Sequence, residues 1–123
     1  MGRKESDVDV ATSSIDGQLR RAIVNRLLVE IEYDGLRIVE PHDYGIVKKG
    51  EPAKLLAYQL RGKTRSGVLP DWRWFNVSKI HRMRLLPDHF PGSRQVSSGQ
   101  HHTWHRVFAS VSMIKSAKEH ANA

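Results

Sequence analysis

From Leu27 to Leu86 the apolar residues recur at every second position in short runs. That period of two restricts the fold more than any other feature of the chain. Leu27–Tyr33 sets Val29, Ile31 and Tyr33 on one face and Glu30 and Glu32 on the other. Asp34-Gly35 is a hairpin signal, because both residues tolerate positive φ. The return strand is Leu36–Glu40, ended by Pro41, which has no N–H for a ladder. Tyr44-Gly45 and the run from Lys48 to Pro52 mark a loop, and Leu55–Leu60 is a third strand. Arg61–Asp71, with Gly62, Gly67 and Pro70, is expected to be a long basic loop. Trp72–Val77 is a fourth strand, with Arg73, Phe75 and Val77 on one face and Trp72, Trp74 and Asn76 on the other. Ile80–Leu86 is a fifth, with Met83 and Leu85 opposite Arg82 and Arg84.

Upstream the period changes. Ile15, Leu19, Ala22, Ile23 and Arg26, with Leu27 behind it, fit one stripe of a helix of about three turns, with Arg20, Arg21 and Asn25 outside it. Downstream, Pro87–His102 is rich in Pro, Gly and Ser and reads as irregular. Val107, Ala109, Val111 and Met113 alternate, which favours a last strand within Trp104–Ser112; a short helix there is the competing reading. Residues 1–14 form a polar tail, 15–86 the domain, 87–114 an extension and 115–123 a frayed end. The fold class is mainly β with a short N-terminal helix (α+β). Strands this short bury one core most economically by curling into a small barrel, which also removes exposed edges.

At 123 residues there is one domain's worth of chain. No Cys is present, which excludes disulfides, thiolate metal sites and cysteine nucleophiles. No apolar run suits a bilayer or a signal peptide, so a cytoplasmic protein without membrane contact is expected. The net charge of +7 is unevenly spread: residues 1–60 hold 9 basic and 10 acidic side chains, residues 61–123 hold 11 and 3.

Most of that excess is one cluster. Arg61, Lys63, Arg65, Arg73, Lys79, Arg82 and Arg84 are accompanied only by Asp71. Trp72 and Trp74 share a face between them, and Tyr58 is on the preceding strand. Cations interleaved with rings suit single-stranded nucleic acid: the cations neutralise phosphates while the rings stack bases. The plainer alternative is a solvated face, with Trp74 covering the end of the core. Arg73 alternates in phase with Phe75, so it needs an anionic partner, either a ligand or one of Glu30, Glu32 and Glu40.

Three stretches, AIVNRLLVEIEYDG, RIVEPHDYGIVKKGEPAKLLAYQ and WRWFNVSKIHRMRLL, taken in that order and spacing, resemble the WYL domain family of small bacterial domains. In the last, Arg73, Phe75, Val77, Lys79 and Ile80 sit at places corresponding to the family's Arg-x-Phe-Arg-Leu-Asp-Arg-Ile segment. Lys54-Leu55-Leu56 stands where the family carries Trp-Tyr-Leu, and Asn76, Ser78 and Lys79 depart from the usual Arg, Asp and Arg. Lys offers phosphate a point charge in place of an Arg fork. The resemblance implies a helix packed on a small Sm-like/SH3-type β-barrel. It also implies a sensor of a nucleic-acid or nucleotide ligand acting in transcriptional or stress regulation. Arg73 and Tyr33 would face that ligand, and His42, in the segment PHDYG, would donate to a phosphate. For Tyr33 a core aromatic is the equal alternative; for His42 it is a loop imidazole bonded to a backbone carbonyl. Relatives often carry a helix-turn-helix, but residues 1–26 hold one helix, so a separate effector or DNA-binding partner is expected.

Other chemistries find less in the sequence. His101, His102 and His105 cluster without a carboxylate nearby, and no metal or cofactor is expected. There is no nucleophile elbow or phosphate-cradling glycine loop, so no enzyme is expected; a metal-free nuclease using His81 or His42 is the catalytic alternative. An Sm-like homo-oligomeric interaction module, joined through strand edges, is the other alternative.

Overall fold

The computed structural model describes residues 15–65, 67–92, 94 and 103–112. The tails expected at residues 1–14 and 115–123 lie outside the described residues, as do His101, His102 and Met113. Helix α1 covers residues 15–25. Six strands follow: β1 (Leu27–Glu32), β2 (Leu36–Ile46), β3 (Lys54–Gly62), β4 (Asp71–Asn76), β5 (Arg82–His89) and β6 (Arg106–Ser110). A 3-10 turn, Val77–Lys79, separates β4 from β5. None of the described helices is long and apolar enough to cross a membrane.

The strands make one antiparallel sheet in the order β4-β3-β2-β1-β5, with β6 also paired to β2. No pairing joins β4 to β5 among the described residues, so the sheet is not closed. The turn spans the gap instead: Val77 N–H donates to the Ala53 carbonyl and Ile80 N–H to that of Val77, while His81 N–H donates to Glu32.

The expected helical stripe packs except for Arg26, which is exposed beyond the last helical residue. Leu19, Ala22 and Ile23 are buried with Val29, Ile31, Val39, Leu55 and Phe75 in a single cluster, whereas Arg20, Arg21 and Asn25 are exposed. Tyr44 Oη donates to the Asp16 carboxylate at 2.7 Å and ties α1 to β2. The helix ends at Arg26, whose φ of 57° is the left-handed conformation that stops α-helical propagation. Downstream chain docks on that end: Phe90 N–H donates to the Arg26 carbonyl.

Asp34 and Gly35 both take positive φ, as their hairpin role requires. The register Glu32↔Leu36 leaves Tyr33 in the turn as well, a residue longer than the expected loop.

β2 differs most from expectation, since it passes through Pro41 and on through Tyr44 and Gly45 to Ile46. The reason is a change of partner. Pairing with β1 covers Leu36 to Val39 and pairing with β6 starts at Asp43, so Pro41 falls where neither strand needs its N–H. Gly45 is likewise no loop marker: a Cβ there would strike the Arg106 carbonyl, so glycine lets β6 approach. The last strand is shorter than Trp104–Ser112, and the helical geometry begins at Val111.

Candidate anion-binding cleft

The β1–β2 turn, the start of β2, the segment before β4 and the 3-10 turn surround a cleft of about 850 Å³. Its wall carries Tyr33, Arg37, Arg65, Arg73, Lys79 and His81, with Asp34 and Ser78 beside them. Two of these come from positions the strand pairing sets and a third from the 3-10 turn. Arg37 is opposite Ile31 and Gly62 in the sheet, Arg73 opposite Ala57, and Lys79 closes the turn that follows β4.

Arg37 is the deepest cation, with only 6% of its surface exposed. Its Nε donates to the Tyr33 carbonyl at 2.8 Å and its Nη1 to Gln59 Oε1 at 3.4 Å. The guanidinium stands 5.4 Å from the Tyr33 ring centroid and 5.6 Å from that of Phe75. Desolvation pulls its pKa down, yet an Arg keeps its proton. Gly62 makes this packing possible, because at φ 105° its bare Cα lies against the backbone of Leu36 and Arg37.

Arg73 sits in phase with buried Phe75, as its alternation implies, but its ion-pair partner is Asp71 at 3.0 Å. The glutamates expected as alternatives face other cations: Glu30 pairs with Arg84, Glu32 with Arg82 and Glu40 with Arg94. Arg73 also donates to the Trp72 and Val68 carbonyls and to Thr64 Oγ1, which pins the segment before β4. The Trp72 N–H and then Arg73 hold the Asp71 carboxyl below its usual range. Tyr33 packs on the core and also lines the cleft. Its ring meets Phe75 edge-on at 4.9 Å, and its hydroxyl oxygen accepts the Asn76 N–H, leaving its own O–H to donate.

The rest of the basic cluster divides. Arg82 and Arg84 face Glu32 and Glu30 across the β1–β5 ladder and border a separate groove with Leu36 and Met83. Both side chains are largely exposed, at 87% and 69%. Arg61 is exposed at the end of β3, opposite Ile38. The Lys63 stem covers Gly35. Arg65 belongs to the cleft mouth, 3.4 Å from Asp34. Trp74 points away from the cleft and packs 5.7 Å from Trp104.

His42 is a correction. It lies inside β2 rather than in a loop and is almost fully buried, so it is not presented to a ligand. Its ring lies between Trp72 and Phe90, with Nε2 3.2 Å from the Glu40 carboxylate rather than a backbone carbonyl. Arg94 completes this layer, bonding both Glu40 oxygens at 2.6 and 2.7 Å and covering the Tyr58 ring at 4.2 Å. Tyr58 is therefore a packing residue, edge-on to Trp72.

Among the described residues no group of three His, Asp or Glu side chains converges as a metal site. Arg37 is the functional candidate missed in the sequence. Its signal was an arginine in phase with Val39, on the apolar side of a strand. Comparison with protein-family models, curated proteins and solved structures returned no match to this chain.

Proposed function

We propose that this chain is a WYL-type regulatory module whose cleft binds an anionic ligand, single-stranded nucleic acid or a nucleotide. It acts in the cytoplasm without catalysis, passing the bound state to a separate effector or DNA-binding partner. The open sheet and its 3-10 turn are then read as a variant of the SH3-type barrel, with the turn bridging the last gap. The observation that carries the proposal is Arg37, a buried guanidinium on an open cleft whose other walls carry Arg73 and Lys79. A buried cation without a carboxylate is unfavourable until an anion joins it. The Tyr33 hydroxyl adds a neutral donor at the same wall.

The test is a titration with fluorescent single- and double-stranded oligonucleotides at two salt concentrations. Arg73→Ala with Lys79→Ala is expected to weaken single-strand binding at least tenfold. It should also flatten the dependence on log salt, by about 0.7 for each phosphate that is no longer neutralised. Arg82→Ala with Arg84→Ala is expected to stay within about threefold, because both lie outside the cleft, on a separate groove. Wild-type affinity and slope in the first pair would place the binding face elsewhere.

One observation favours a second reading, a homo-oligomeric interaction module. Among the described residues the end strands β4 and β5 each pair on one side only and so offer edges to a second copy. Light scattering without ligand separates the two: a concentration-dependent dimer or ring supports the module.

A further inference from the structure

Resting on the function proposed for the cleft, we infer that it takes its ligand end-on, and that the group met by Arg37 is a terminal phosphomonoester rather than an internal phosphodiester. The first ground is the balance of charge. Arg65 is matched by Asp34 and Arg73 by Asp71, both within ion-pair distance. Among the described residues neither Arg37 nor Lys79 has a carboxylate within ion-pair distance; Asp34 also acts on Arg37 from farther off, but against Arg37, Arg65, Arg73 and Lys79 only Asp34 and Asp71 stand, a net excess of two positive charges. A phosphomonoester carries about −1.5 to −2 at pH 7, whereas a diester carries a single charge. The monoester matches the pair; the diester leaves one of the two positive charges unmatched.

The second ground is the gradient of burial. Arg37 forms the floor at 6% exposure, while the Arg65 side chain at the mouth is 85% exposed. An internal phosphate has chain leaving on both sides and would have to bring both to the floor. A terminal phosphate has one substituent and reaches the floor alone, with the remaining chain directed back past Arg65 and His81.

The third ground is the hydrogen-bond inventory. A guanidinium has five N–H donors, and Arg37 uses its Nε and one on Nη1. Its Nη2 has no acceptor among the described residues. A tetrahedral end with three unsubstituted oxygens can take that donor, Lys79 Nζ and the Tyr33 hydroxyl together. A diester has two such oxygens.

The experiment compares single-stranded decamers of one sequence with an internal fluorophore: 5′-phosphorylated, 3′-phosphorylated and hydroxyl at both ends. One phosphorylated decamer is expected to bind at least tenfold more tightly than the hydroxyl form. Lys79→Gln, at an exposed turn position that leaves the core intact, is expected to cut that preference to threefold or less. Arg37→Gln is expected to abolish it, with circular dichroism checking its fold. Adenosine monophosphate and adenosine as competitors distinguish the source: competition by the monophosphate alone identifies free nucleotide as sufficient. Equal, saturable binding of all three decamers, competed by neither, would overturn the end-on reading and leave the cleft as a site for internal phosphates. Absence of binding by any probe would overturn both readings. A preference unchanged in Lys79→Gln would show that the phosphate is met elsewhere.

Discussion

The residue that shows most clearly how this chain handles buried charge is Glu40. Its carboxylate is 2% exposed and lies on the sheet face away from α1, held by Arg94 through two short bonds and by His42. Burial pushes the Glu40 pKa up, but the bonds from Arg94 and His42 outweigh it and hold the carboxyl below its usual range. The stability this contributes is present above the unfolded value of about 4.3 and is lost as pH falls through the lower folded value. Arg94→Ala leaves the carboxylate buried with one partner fewer. Because Arg94 is 38% exposed, the expected cost is about 2 kcal/mol, below the ~3–5 of a fully enclosed pair. Urea titration at pH 7 checks it, and the difference between variant and parent should shrink as the pH approaches 3. Arg37 is the opposite case: it is a buried cation with no carboxylate within ion-pair distance among the described residues, and its side chain bonds the Tyr33 carbonyl and Gln59 instead.

Among the secondary-structure elements, glycines decide where strands meet. Gly62 ends β3 at φ 105°, and a methyl group there would strike the Leu36 carbonyl that the Lys63 N–H also bonds. Gly62→Ala therefore combines an unfavourable backbone conformation with a steric conflict beneath Arg37. A loss of about 2–3 kcal/mol is expected, measured by thermal denaturation, with ligand affinity falling alongside it. The strands themselves were largely legible. β1, β3 and β4 fall within a few residues of their alternating runs, and the positive φ of Asp34 and Gly35 was implied by their identities. β2 was not, because its continuation past Pro41 depends on β6, which joins it from over sixty residues away. The turn at Val77–Lys79 was also hidden. Val77 continues the alternation of Arg73 and Phe75, yet the chain turns there and delivers Lys79 to the cleft.

Across the molecule, the core and the cleft share a wall. Phe75 is almost fully buried, and both the Tyr33 ring and the Arg37 guanidinium rest on it. Phe75→Ala is expected to cost about 3–5 kcal/mol in a chemical denaturation. The fraction that remains folded should also bind more weakly, because the cleft floor loses its support. Phe75→Leu, which keeps most of the volume, should recover the larger part of both.

The local periods were readable from the residues in order: one amphipathic helix, a series of short antiparallel strands, a hairpin at Asp34-Gly35 and an excess of cations after residue 60. Those follow from steric and hydrophobic rules that act over a few residues. Which cations face one another came from strand pairing and could not be read along the chain. Seven basic residues close in sequence looked like one surface, but pairing set Arg82 and Arg84 against Glu32 and Glu30 and gathered Arg65, Arg73 and Lys79 elsewhere. It added Arg37 to that second group from a strand outside the cluster, and it enclosed His42. The physical reason is that charge acts through space, and the distances that matter across a sheet join residues far apart along the chain.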